Sequence, residues 1–106
     1  MASEQVIKEV TRRLVERFHP EAIILFGSQA RGMAGDVSDL DLIVLCEGIR
    51  DRNALEADMI AALRGVPIAI DVLAYTPQEY DTESRIVGTV AYPASREGRV
   101  VYERAA

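Results

Sequence analysis

The sequence predicts an α/β fold, in the α+β sense of a small mixed β-sheet with helices packed against it. Three observations support this fold class. An amphipathic stretch opens the chain, short apolar runs bounded by glycine or proline follow, and helical and strand patterns then alternate with short connections. We expect residues 1–106 to form a single domain, because a chain of this length can build one hydrophobic core but not two.

The bounds of the predicted elements follow from caps and helix breakers. The first helix is expected to end at His19, because a residue before proline disfavours helical backbone. Thr76 before Pro77 is typical of a helix start, and Gly65 is typical of a helix end. The expected elements are a helix over Ser3–Phe18, strands over Ala22–Phe26 and Leu40–Cys46, a helix over Asp51–Arg64, a strand over Ile68–Ala74, a short helix from Pro77 to about Asp81, an irregular helical stretch over Ser84–Tyr92, a helical turn over Pro93–Glu97 and a strand over Val100–Tyr102.

Composition and charge narrow the possible functions. With 12 basic and 17 acidic residues the net charge is −5, so direct binding to nucleic acid is not expected. No apolar run approaches the roughly 20 residues of a membrane span, and the first residues lack the features of a signal peptide. A lone cysteine, Cys46, fits a reducing compartment. We therefore expect a cytoplasmic protein with no membrane partner.

The stretch from Gly27 to Asp41 carries the strongest functional signal. It forms a glycine-containing polar turn between two predicted strands. Gly27 lets the backbone approach a phosphate closely, and the hydroxyl and amide of Ser28 can donate to phosphoryl oxygens. Asp39 and Asp41 are two positions apart at a strand start, so both carboxylates point the same way. This arrangement predicts a site for a hard divalent cation that carries a triphosphate.

Three better-known motifs do not fit this stretch. Gly27 and Gly32 have the spacing of a Walker A loop, but Met33-Ala34 replaces the required lysine and hydroxyl residue. The Gly-x-Gly-x-x-Gly of a Rossmann dinucleotide site does not occur after a strand. An EF-hand is excluded, because Asp39-Leu40-Asp41 is followed by apolar residues instead of further oxygen ligands.

Asp71 is a lone carboxylate within an otherwise apolar predicted strand. We expect it to need a partner, because burying it unpaired would cost several kcal/mol. One interpretation is structural, a pairing with Arg31 or with backbone amides. The other places Asp71 beside Asp41 as the third carboxylate of one cluster, which is favourable mainly when divalent metal occupies the gap. In that case Asp71 is also the natural proton acceptor from an attacking hydroxyl.

The combined motif resembles a known superfamily. Gly27-Ser28, ten intervening residues, Asp39-Leu40-Asp41 and a later strand aspartate, Asp71, are similar to the signature of the DNA polymerase β-like nucleotidyltransferases. Within that superfamily the chain resembles the minimal nucleotidyltransferases (MNT, or MntA-like), small prokaryotic proteins often paired with a HEPN-domain partner. The segments that carry this closer likeness are Leu25–Gly32, Ser38–Leu42 and Arg96–Glu103.

The resemblance implies an enzyme that transfers AMP from ATP with magnesium as cofactor. In the paired systems it implies an antitoxin that adenylylates a tyrosine of its HEPN ribonuclease toxin. Carried over residue by residue, it makes Asp39, Asp41 and Asp71 the catalytic metal ligands, with Asp71 also the base. The nucleotide-binding residues would be Gly27, Ser28 and Arg31.

Other interpretations remain open beside this one. Many relatives carry arginine at the position of Gln29, and losing that charge could weaken binding of the triphosphate, although all the carboxylates that carry the chemistry are present. The chain could instead be an inactive binding module that neutralises its toxin by complex formation alone, although three unpaired acids in a disused site are unfavourable. A small-molecule nucleotidyltransferase would need an acceptor pocket for which the chain is short. The last predicted strand could be an open sheet edge, and with it the contact of a homo-oligomer or a partner.

Overall fold

A computed structural model describes residues 4–27 and 40–105 of the chain. These residues form helices and strands joined mostly by short connections. Most of the predicted elements are present, with bounds that differ by a few residues. In chain order the elements are α1 (Glu4–Phe18), β1 (Ala22–Phe26), β2 (Leu40–Leu45), α2 (Arg52–Ala62), β3 (Ile70–Tyr75), α3 (Pro77–Glu83), α4 (Ala91–Glu97) and β4 (Arg99–Glu103).

The strands form one mixed sheet in the order β3-β2-β1-β4. β1 pairs antiparallel with both β2 and β4, whereas β2 pairs parallel with β3. β1 and β2 are therefore central, and their unbroken apolar runs are buried, as expected for strands covered on both faces. The predicted fold class, a small mixed sheet with helices packed against it, is confirmed.

Each face of the sheet carries its own core. On the first, which we call the α2 face, α1 and α2 pack through buried residues such as Leu14 and Met59 against the even-numbered positions of β2. On the second, which we call the α4 face, Ala94 of α4 and Tyr80 of α3 pack against Ile24 and Ile43. Because strand side chains alternate, Asp41 and Asp71 lie on the α4 face with Ile43 and Leu73.

Local capping residues set several element ends, among them the predicted ones at Thr76 and Gly65. Asp51 caps α2 by accepting a hydrogen bond from the Ala54 N–H. Thr76 and Glu79 form a reciprocal capping box at the start of α3, with Pro77 at its first position. Gly65, after α2, has a φ of +91°, in the left-handed region that glycine tolerates. Ser3, the first residue of the predicted first helix, lies outside the described residues.

The structure corrects the prediction for the segment between α3 and α4. Ser84–Tyr92 is not one helix: turns follow α3, and α4 begins only at Ala91. Gly88 has a φ of +100°, which interrupts helical backbone. The apolar side chains that suggested a helix are largely exposed, Val87 by 76%, so they do not form a buried helical face. In the described residues no helix is long and apolar enough to cross a membrane.

Candidate active site

Gly27 follows directly on β1 and lies against Asp41 of β2. The register of the two strands pairs Phe26 with Asp41, so the residue after Phe26 passes beside the Asp41 side chain. A Cβ atom on Gly27 would lie only 2.7 Å from the Asp41 Oδ2 atom, and Gly27 has a φ of +80°. Both the backbone conformation and the space therefore require glycine at this position.

Asp71 of β3 lies next to Asp41. The parallel register of β2 and β3 pairs Asp41 with Asp71 directly, and paired residues project their side chains to the same face of a sheet. The predicted adjacency of these two carboxylates, on neighbouring strands, is confirmed. Both residues belong to the start of their strands, at the end of the sheet where β1 reaches Gly27.

The environment of Asp71 differs from the one expected from its apolar strand. Asp71 is exposed, because β3 is an edge strand of the sheet. The premise that the carboxylate is buried and needs a partner to offset desolvation was therefore wrong. Among the described residues none forms an ion pair or a hydrogen bond with its side chain, so the structural alternative of a pairing with backbone amides finds no support there.

Three predicted site residues, Ser28, Arg31 and Asp39, lie outside the described residues. Their roles stay predictions. Within residues 4–27 and 40–105 no group of three or more metal-ligating side chains occurs, so the described part contributes two of the three predicted carboxylates. The predicted pairing of Asp71 with Arg31 cannot be placed for the same reason.

The described residues fit a magnesium ion that carries a triphosphate. Asp41 and Asp71 offer carboxylate oxygens, the hard donors that magnesium prefers, from adjacent positions of a rigid sheet. Beside them lies Gly27, which has no side chain and packs directly against the Asp41 carboxylate. A phosphate could approach the backbone there.

A further acidic residue, Glu97, lies near this site and had no predicted role. Together with Gly27 it lines a small cavity of about 80 Å³ between β1 and the end of α4. Gly98 lets the end of α4 pack closely against β1, because a Cβ on it would lie 2.9 Å from Ile24 Cγ2 and 3.1 Å from the Leu25 carbonyl oxygen. The contact joins residues far apart in sequence, so no local pattern could have predicted it.

Comparison with protein families identifies the chain. The family model for polymerase beta nucleotidyltransferases matches residues 7–106. The chain belongs to the polymerase β nucleotidyltransferase family. Gly27, Asp41 and Asp71 lie together at one end of the sheet, and their assignment to one nucleotide site stays a prediction. No functionally curated protein matches the chain.

Three solved structures share the nucleotidyltransferase fold with this chain. One is a provisionally assigned nucleotidyltransferase from Sulfolobus solfataricus, with a TM-score of 0.64 and 24% identity over 94% of this chain and 79% of that one. Another is a toxin–antitoxin with AMP-PNP, with a TM-score of 0.58 and 19% identity over 97% and 75% of the two chains. A third is a mutant MntA–HpeT toxin–antitoxin, with a TM-score of 0.56 and 21% identity over 98% of this chain and 75% of that one. At these identities the likeness shows the fold alone.

Proposed function

We propose that this nucleotidyltransferase moves AMP from magnesium-bound ATP to a hydroxyl, that of a tyrosine, on a partner protein. We further propose that it is the antitoxin of a HEPN–MNT pair, with a HEPN-domain ribonuclease as partner. The observation that carries the first part is the direct pairing of Asp41 with Asp71 beside Gly27. At one end of the sheet, this pairing places two carboxylates beside a glycine whose backbone a phosphate could approach closely.

The proposed roles follow from donor chemistry and position. Asp39, Asp41 and Asp71 would hold magnesium, which when bound neutralises the charge of the phosphates undergoing transfer. Gly27 would let the triphosphate approach the backbone, and Ser28 and Arg31 would donate hydrogen bonds to its oxygens. Asp71 is the better candidate for the base, because its exposure on an edge strand leaves it open to an acceptor.

The proposed reaction is a substitution at the α-phosphorus of ATP. The tyrosine oxygen attacks the α-phosphorus of ATP and forms a new P–O bond, while the bond from the α-phosphorus to the bridging oxygen breaks. AMP is thereby attached to the tyrosine, and pyrophosphate leaves. The tyrosine proton passes to the Asp71 carboxylate, whose position at the sheet edge lets it accept a proton from a hydroxyl held beside it.

The names of two similar structures support a toxin partner and an adenine nucleotide. One was solved with AMP-PNP, an analogue of ATP, and both are toxin–antitoxin structures. They motivate the proposal for this chain and do not decide it. The rival hypothesis is that the chain neutralises its partner by binding alone.

Transfer of label from α-labelled ATP, with magnesium and the co-purified partner, tests the proposal. We expect label on the partner with the wild-type chain and its loss with Asp41→Asn and with Asp71→Asn. Asp58→Asn is a matched control, since it neutralises an exposed aspartate on α2, away from the Asp41–Asp71 pair. If the partner stays unlabelled with the wild-type chain, and both Asp variants still bind and inhibit it, transfer is refuted and neutralisation by binding is established.

A further inference from the structure

Among the residues that the structure describes, contacts close the outer edge of β3 along only part of its length. The Ala69 carbonyl accepts from the Leu40 N–H, and the Tyr75 carbonyl accepts from the Cys46 N–H. Odd-numbered residues of β3 therefore direct their backbone groups toward β2. Because alternate residues of a strand face opposite sides, the N–H and C=O groups of Ile70, Val72 and Ala74 face away from the sheet.

Two side chains of α2 satisfy the outward groups of Ala74. Its N–H donates to the Glu56 carboxylate at 2.8 Å, and its carbonyl accepts from the Arg52 Nε at 2.8 Å. Arg52 also forms an ion pair with Glu79 at the start of α3. The helix thus takes the place of a further strand at this point and blocks the edge.

This side-chain cover stops one turn further along α2. Arg52, Glu56 and Ile60 follow at intervals of four residues, which places them on one side of the helix. Ile60 has no polar atom with which to cap a backbone group, and it is 47% exposed. Among the described residues no side chain or backbone group bonds to the outward groups of Ile70 or Val72.

An apolar groove adjoins this open section on the α2 face. It has a volume of about 320 Å³, and we call it the Ile60 groove. Ile70 belongs both to the groove and to the open edge, and the next residue, Asp71, projects to the opposite face. The apolar side chains that line the groove are Ile60, Leu63, Val66, Ile68 and Ile70.

We propose that the acceptor protein adds an extended segment to the β3 edge at Ile70, with an apolar side chain in the Ile60 groove. The inference rests on the proposed transferase function. Side chains of an added strand alternate between faces. A residue opposite Asp71 therefore projects its hydroxyl on the face of the carboxylates, while its neighbours project toward the groove. The site accordingly selects a tyrosine flanked by apolar residues on an extended segment.

The other edge of the sheet, β4, also adjoins a groove, of about 380 Å³ between β4 and α1, but it differs from the β3 edge in two ways. β4 pairs with β1 through an irregular register between Ile23 and Ile24, which disrupts an outer edge. Arg99 on β4 is held in an ion pair with Glu4. Of the two edge strands, β3 is the one that carries a proposed catalytic carboxylate, Asp71, and its edge is therefore the better place for strand addition at the site.

Titration of the labelled chain with short peptides, followed by the Ile70 amide signal in ¹H–¹⁵N spectra, tests this docking. The probe is an acetylated heptapeptide with the centre Leu-Tyr-Leu, and the comparison peptide has the centre Ser-Tyr-Ser. We expect the first to shift the Ile70 signal in the wild-type chain and the second to bind about tenfold more weakly or worse, because it cannot fill the groove.

The matched variants are Ile60→Glu and Ile86→Glu, since Ile60 and Ile86 are 47% and 48% exposed. We expect Ile60→Glu to weaken binding of the Leu-Tyr-Leu peptide by about tenfold or more and Ile86→Glu to leave it unchanged. An unmoved Ile70 signal, equal binding of both peptides, or equal loss in both variants would overturn the docking site. A peptide that binds at Ile70 while the partner is never labelled would keep this surface as a binding edge and refute the transferase.

Discussion

Replacing Gly27 by alanine separates the backbone role of this residue from its role beside Asp41. Alanine at a φ of +80° is strained whatever the space around it, at a cost of about 1–2 kcal/mol. Gly48 and Gly65 have φ values of +67° and +91°, and an added Cβ there would meet no atom within 4 Å. Alanine at those two positions therefore carries the backbone cost alone.

At Gly27 a steric term is added to the backbone cost. The new Cβ would lie 2.7 Å from the Asp41 Oδ2 atom, whereas ordinary contact begins at 3.4 Å. The carboxylate must therefore move by about 0.7 Å, the difference between these distances. It is the end of a side chain, so the shift adds little to instability. A displacement approaching 1 Å at a reacting group can lower a rate by about a hundredfold.

The assay compares thermal unfolding with label transfer for all three alanine variants. Because the backbone cost is shared, we expect all three variants to lower the midpoint temperature of unfolding by similar amounts. The decrease should be about 4–8 °C per kcal/mol of lost stability. Only Gly27→Ala should lower transfer, by about 10- to 100-fold, and it should reduce the stabilisation that magnesium-ATP gives to the wild-type chain. Transfer by Gly27→Ala equal to that of Gly65→Ala would refute the argument that Gly27 sets the position of Asp41.

Three further predictions concern individual side chains. Asp71→Asn should change the free energy of unfolding by less than about 0.5 kcal/mol, because the residue is exposed, yet lower transfer by about 10²–10⁴-fold. In urea, Gly98→Ala should be less stable by about 1–3 kcal/mol, because its Cβ would lie 2.3 Å from the Ala94 carbonyl oxygen, a backbone atom. Hydrogen bonds from two arginines lower the pKa of Glu9 from 4.5 to about 2, and the pKa of Glu79 is lowered by the hydrogen bond from the Thr76 N–H and by Arg52. Since these pKa values are lower in the folded state, the two carboxylates stabilise the fold above pH 4.5, and this stabilisation is lost as the pH falls toward 2. The midpoint temperature of unfolding should therefore decline over this pH range, and Glu9→Gln should make the decline smaller.

Sequence patterns predicted the elements of this fold better than the environment of their residues. The apolar run around Asp71 correctly indicated a strand and a neighbour of Asp41. It did not distinguish an edge strand from a central one, because that depends on the strand order of the whole sheet. The expected burial of Asp71 was wrong for this reason.

Local periodicity also misled where apolar residues are exposed. Ile86, Val87 and Val90 have helical spacing, but the structure leaves them on the surface and places turns there. Conversely, the cover of Ala74 by Arg52 and Glu56 joins residues 22 and 18 positions apart. No local pattern marks two charged helix residues as partners of a distant strand edge. Among the described residues no such contact reaches the outward backbone groups of Ile70.

The described part of the site is compatible with the protein acceptor that we propose. Among the described residues, the cavity that Gly27 lines has a volume of about 80 Å³, and a pocket for a second small molecule beside the nucleotide would need roughly 300 Å³ or more. Asp71 instead faces outward from an edge strand whose neighbouring backbone groups lack partners among the described residues. The described residues do not enclose a small acceptor there, whereas a polypeptide could supply hydrogen bonds along the edge and bring its own apolar side chain to the Ile60 groove. An open edge strand carries a risk of aggregation, but the same open edge would allow a protein acceptor to pair with β3.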